Sequence, residues 1–223
     1  MPSELCFFVL VADLVASRRA PRRAELAARL ERCLTALREH PDWQAPLMST
    51  RGLDELSGVL RCPDAAFDIV HTVSLAVWPQ RFRFSLAAGP LDLARDSRVA
   101  ADMDGPAFHR AANALARVRD TGQAVGFDLP ASDPAVVRLA ETAANLHQLT
   151  VAHWSPAAAA AAAAYETSGT QAEAAQRLGV TQQAVSAALH RAQQAELAAA
   201  RTTLRAWLQQ AGQEQLACSS SPS

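Results

Sequence analysis

The run LCFFVLVADL at residues 5–14 constrains the fold more than any other stretch. An amphipathic helix or a half-exposed strand would break such a run with polar side chains at regular intervals. A central strand covered on both faces has no such need. Asp13 is the charge that interrupts the run, near its end. The rest of the chain must therefore supply the layers that cover this strand.

The segments that follow read as alternating helices and strands. Residues 22–39 predict a helix with Leu26, Leu30, Cys33, Leu34 and Leu37 on one stripe. Strands at 47–50 and 56–60 flank RGLDE (51–55), a hairpin with Gly52 in its turn. Pro63-Asp64 opens a second helix towards Trp78, which Pro79 ends. RFRFSLAA (81–88) alternates like a half-buried strand and stops at Gly89-Pro90. Asp104-Gly105-Pro106 starts a helix with Phe108, Ala111, Leu115 and Val118 inward. Residues 123–129 form a short strand, and Asp133-Pro134 begins a helix whose inward stripe is Val136, Leu139, Ala143 and Leu146. The order β-α-β-β-α-β-α-β-α places the chain in the α/β (α+β) class. It predicts a ferredoxin-like antiparallel sheet with helices on one side.

Composition excludes several functions. Half of the residues are hydrophobic and the net charge is −1, so the chain as a whole is neither a nucleic-acid sponge nor a binder of anionic membranes. All 21 basic residues are arginine. Cys6, Cys33, Cys62 and Cys218 are scattered, without a CxxC pair or a histidine cluster, which argues for reduced thiols rather than zinc or a disulfide framework. The first residues lack the basic start of a signal peptide, and the alanine-rich stretch at 156–165 is too short to span a bilayer. The expected location is the cytoplasm, with no membrane partner.

Beyond Trp154 the composition shifts. The expected division is a sheet domain at 1–152, an alanine-rich helix or linker at 153–169, a helix-turn-helix module with a terminal helix at 170–216, and a disordered tail at 217–223. Within the module, Thr170-Gln-Ala-Glu173 is a capping-box pattern, and Gly179 supplies the left-handed position that ends a helix. Val180 is expected to plug the corner, Thr181 to cap the second helix, and Val185 and Leu189 to point back into a small core. The joint placement of Ala175, Gly179 and Val185 is what a helix-turn-helix requires; an ordinary α-hairpin is the other reading. The outward face of the second helix carries Thr181, Gln182, Gln183, Ser186, Ala187, His190 and Arg191. Glutamines suit adenine edges, and Arg191 and His190 suit phosphates, so double-stranded DNA is the expected partner. Residues 170–212 hold four arginines and two glutamates, net +2, which is weak for one copy. A homodimer follows as an expectation. The terminal helix, with Leu204 and Trp207, is either its seam or a lid on the module's own core.

The N-terminal part resembles the SatD family. VADLVASR at 11–18, Asp54-Glu-Leu-Ser-Gly58, the strand at 84–90 and Asp104-Gly-Pro-Ala-Phe108 match its motifs in order, over roughly residues 5–120. The resemblance implies a C-terminal helix-turn-helix in many members. It also implies a layout like the catalytic core of nucleotide cyclases. There, carboxylates at the positions of Asp13 and Asp54 (or Glu55) hold Mg2+, and Arg18, Arg19 and Arg51 face phosphate. Against that pattern, Ala16 and Leu53 stand where glycines let backbone approach a phosphate. Two functions follow: a DNA-binding transcription regulator with a sensor or dimerisation domain, or a Mg2+-dependent domain for a nucleotide-like ligand with an accessory helix-turn-helix. A protein-docking role for the helix pair is a third. No nucleophile elbow or phosphate loop is present. His71 and His109 read as satisfied or surface histidines, and Trp43, Trp78 and Trp154 as core or lid residues.

Overall fold

The computed structural model describes residues 5–16 and 22–220. The apolar run becomes β1 (Phe7–Leu14), the middle strand of a five-stranded sheet ordered β2-β3-β1-β4-β5. The others are β2 (Trp43–Ser49), β3 (Glu55–Leu60), β4 (Phe82–Gly89) and β5 (Val125–Asp128). Between them lie α1 (Arg23–Leu37), α2 (Ala66–Val77), α3 (Pro106–Thr121) and α4 (Pro134–Ala152). The fold is α+β, and the predicted element order holds throughout. β2-β3-β1-β4 pair antiparallel, as two interleaved strand–helix–strand units require.

The expectation of a wholly antiparallel sheet with helices on one side is corrected at two points. β5 pairs parallel to β4, from Phe84 opposite Val125 to Ala87 opposite Asp128. Helices also cover both faces. α1 and α2 pack on the face that carries Phe8, Leu10, Phe84 and Leu86. α3 packs on the other, against Phe7, Val9 and Ala87. The reason is the crossover: a parallel β4–β5 pair needs a helix between its strands, and α3 is placed across the second face.

The stripe expected to be buried on α4 faces outward. Leu139 is 70% exposed and Leu146 58%, and Val136 is exposed as well. The buried residues are Ala140, Ala144, His147, Gln148 and Val151. β5 is an edge strand, and α4 turns its polar side chains to that edge. Asn145 Oδ1 accepts from the backbone N–H groups of Ala124 and Val125, and Glu141 Oε1 accepts from Phe127. Unpaired edge groups are thereby satisfied, and this outweighs burial of the leucines.

The helical part comprises α5 (Pro156–Ser168), α6 (Gln171–Leu178), α7 (Gln182–Arg191) and α8 (Gln194–Ser220). The alanine-rich α5 is one wall of a second core, where Ala158, Ala161, Ala162 and Ala164 meet Val185 and Leu189. α8 is longer than predicted and runs to Ser220, into the stretch expected to be a disordered tail; residues 221–223 lie outside the described residues. Within the chain it packs on the helical core only near Leu197. Leu204, Leu208 and Ala211 are buried in the core of the sheet domain, and the Trp207 ring lies 5.1 Å from that of Phe127. Polar contacts hold its far end: Ser132 donates to Glu214 at 2.7 Å, and Gln215 accepts from the Ala131 N–H at 3.0 Å. The chain thus leaves the sheet domain, builds the helical core and returns. No helix among the described residues is long and apolar enough to cross a membrane.

Candidate nucleic-acid interface

α6 and α7 are joined by Gly179, Val180 and Thr181. Thr170 caps α6 by accepting from the Glu173 N–H at 3.2 Å, and Thr181 caps α7 by accepting from Ala184 at 3.2 Å. Gly179 adopts φ +66°, the left-handed position predicted for it. The turn is closed by backbone, with Val180 N–H donating to the Ala175 carbonyl at 3.1 Å. The Val180 side chain does not plug the corner as expected. It is 48% exposed, because the left-handed turn directs it away from the helices. Thr181→Ala is expected to cost about 1 kcal/mol, read as a lower thermal midpoint.

Val185, Ala188 and Leu189 anchor α7 to α5 and α6. Its other side presents Gln182, Gln183, Ser186, Ala187, His190 and Arg191, all exposed. Thr181 is exposed too, although its hydroxyl oxygen is engaged in the cap. Five of the predicted contact residues, Gln182, Gln183, Ser186, His190 and Arg191, therefore lie on the solvent-facing side of α7.

The electrostatics are thinner than the sequence count implied. Of the four arginines at 170–212, Arg201 and Arg205 are already paired with carboxylates of the chain. Arg201 pairs with Glu166 at 2.7 Å and Arg205 with Asp68 at 3.3 Å. Arg177 and Arg191 form no ion pair among the described residues.

A polar cluster that sequence reasoning missed joins the two cores. Glu166 of α5 accepts from Arg201 at 2.7 Å and from Gln194 at 2.6 Å, both on α8. His71 of α2 and His147 of α4 are buried beside it, ring centroids 5.0 Å apart. His71 Nε2 stands 3.6 Å from Glu166, beyond hydrogen-bond length, so the Arg201 contact is the firmer hold in the geometry. Interaction with His71, then Arg201, holds the Glu166 carboxyl down to about 2 against the upward push of burial. Burial pushes the His147 imidazole down to about 3 and lowers His71 as well. His71 was read as an ordinary satisfied histidine; its partner is nearly a hundred positions away, so no local spacing marks the cluster. His109 is exposed, 3.8 Å from Asp104.

The carboxylates proposed to hold Mg2+ are otherwise engaged. Asp13 lies opposite Glu55 and Arg83 in the sheet. Its Oδ2 accepts from Arg119 at 3.0 Å and pairs with Arg83 at 3.5 Å. Asp54 pairs with Arg23 at 3.3 Å, and Arg51 pairs with Glu55 at 3.4 Å at the hairpin tip. Guanidinium groups hold one oxygen of each carboxylate, which leaves a hard cation fewer ligand atoms there; Asp13 Oδ1 is buried without a partner among the described residues. Among the described residues no three His, Cys, Asp or Glu are grouped to hold a metal. Arg18 and Arg19 lie outside the described residues.

The motifs at 84–90 and 104–108 meet in space. Asp92 and Leu93 N–H groups donate to the Asp104 carbonyl, and the Ala107 N–H donates to the Pro90 carbonyl at 3.2 Å. They form one knot at the end of β4, where the chain crosses to α3. The SatD family model matches residues 7–131, from β1 through this knot to the loop after β5. The chain belongs to the SatD family. Among curated proteins, none matches it. In this SatD-family chain the matched region is the sheet domain without α4, so the helical core lies outside the shared part.

Proposed function

We propose that this SatD-family protein is a DNA-binding transcription regulator in which α6 and α7 form a helix-turn-helix and α7 enters the major groove. The observation that carries it is the α7 surface. Val185, Ala188 and Leu189 fix the helix from behind, while Gln182, Gln183, Ser186, His190 and Arg191 stand free in front. Amide side chains near the N-terminus of such a helix suit base edges, and the arginine at its end suits backbone phosphate. With two free arginines near this face, phosphate attraction is small, and reading by a pair of copies on two half-sites compensates. The sheet domain is then the sensor half. The engaged carboxylates count against the Mg2+-nucleotide reading.

Site selection from genomic fragments with the purified chain, at low and physiological salt, tests this directly. Bound fragments are expected to share a two-fold symmetric site. The variant Gln182→Ala/Gln183→Ala/Arg191→Ala is expected to bind that site at least a hundredfold more weakly by fluorescence anisotropy, with its melting temperature unchanged, as two or three lost contacts of this kind imply. Undiminished binding by the triple variant, or no enriched fragments at low salt, refutes the reading.

A further inference from the structure

Between the C-terminal end of α2, the start of β4, the α3–β5 turn and α4 lies a cleft of about 310 Å³. Its walls include Trp78, Arg81, Phe82, Thr142, Leu146 and Gln148. Three features of it are unusual for a structural crevice. Leu146 and Leu149 stand on its lip with more than half of their surface in water, an exposed apolar rim. Trp78 Nε1–H and Gln148 Nε2–H are buried donors without an acceptor among the described residues. Gln148 is only 8% exposed, and its Oε1 is fixed by the Ser74 hydroxyl at 2.9 Å, which leaves its NH2 group over. Finally, the lining holds one charged residue, the exposed Arg81, and no carboxylate.

Buried donors closed to water are normally paired, and unpaired ones tend to mark sites where another group docks. Walls that are largely apolar, with a few convergent polar groups, are the usual form of a small-molecule site, and 310 Å³ suits a small one. The donors and the lone guanidinium all ask for an acceptor, and no wall residue repels negative charge. We propose that this cleft binds a small monocarboxylate with a flat apolar body. The ring lies against Phe82 and the rim leucines. The carboxylate faces Arg81, and an oxygen reaches the Trp78 or Gln148 N–H as the indole or amide turns. The cleft shares Trp78 and Val151 with the helical core, so a ligand there touches the packing behind α7. That consequence makes the ligand a regulator's effector and rests on the proposed function; the chemistry of the cleft does not.

The test is titration of the 15N-labelled full chain with 1-naphthoate, alongside 1-naphthylmethylammonium as the charge-reversed probe. The Trp78 indole N–H resonance, identified by its loss in Trp78→Phe, is expected to move saturably with the carboxylate and at least tenfold more weakly with the ammonium. Ala152→Phe, which fills the cleft from a half-buried position, is expected to weaken binding at least tenfold, and Arg81→Ala about fivefold. No movement at millimolar naphthoate, equal response to the ammonium, or unchanged affinity in both Ala152→Phe and Arg81→Ala overturns the proposal. Binding is read without DNA, so a saturable shift in a chain that selects no DNA refutes the regulator reading alone.

Discussion

Gly105→Ala is expected to cost the fold about 3–4 kcal/mol, seen as a lower urea midpoint with little change in slope. Gly105 adopts φ +149° and ψ −178°, a region essentially reserved for glycine. A Cβ there would stand 2.7 Å from the Asp92 nitrogen and 2.8 Å from the Leu91 Cα, both backbone atoms that cannot swing aside. The clash falls in the knot that ties β4 to α3, so relief of strain would pull the crossover helix off the sheet. Gly122→Ala is the control. Gly122 is also left-handed, at φ +70°, but a Cβ there meets nothing within 4 Å. It is expected to cost only about 1 kcal/mol. If the two variants are equally destabilised, close approach is not the reason for the glycine.

Glu166→Ala is expected to destabilise the protein by about 3 kcal/mol at pH 7, because it leaves the mostly buried Arg201 with only its 3.8 Å contact to Asp68 and removes the acceptor of Gln194. Glu166→Gln keeps an acceptor oxygen and should lose less. The same cluster sets an acid limit. His147, with its pKa pushed to about 3, stays neutral in the fold while the unfolded chain takes up a proton below about 6.5. Stability therefore falls as pH drops from about 6.5 towards 3, at up to about 1.4 kcal/mol per pH unit for such a histidine. His71 is lowered too and acts in the same direction. Glu166, depressed to about 2, contributes stability above its unfolded value near 4.5 that is lost as pH falls towards 2. Urea midpoints between pH 7.5 and 4.5 read the histidine part. His147→Phe should flatten that slope by about one histidine's share; an unchanged slope would show that His147 is not held neutral.

Local chemistry is legible in a chain like this wherever neighbours in sequence decide the outcome. The capped start of α6, the left-handed Gly179, the cap at Thr181 and the inward Val185 and Leu189 all depend on residues within one or two turns. The strand run at β1 is equally local, since a stretch without polar relief can only be covered on both faces. What sequence reading could not see are the choices made between distant segments. The more apolar stripe of α4, with Leu139 and Leu146, is left outside, because the open edge of β5 draws in Glu141 and Asn145 from the other face. α8 carries a leucine repeat that suits a partner copy, a helical core or a sheet, and its return to the sheet domain chose the last.

The residues that bear on function divide in the same way. The polar front of α7 follows from helical periodicity alone, because burying Val185 and Leu189 leaves the other residues outside. The charge available to that front does not follow from the sequence, since Asp68 and Glu166 withdraw two of its four arginines. Asp13 and Asp54 matched a carboxylate pattern by position, yet their arginine partners come from α3, β4 and α1. The cleft beneath Trp78 has no sequence signature, because its walls come from four separate elements. By itself the sequence determined the elements, the caps and the outward face of α7, each an interaction over a few residues. The tertiary structure alone decided which helix faces are covered, which charges are spent on one another and where a cavity remains, because those depend on contacts between segments far apart in the chain.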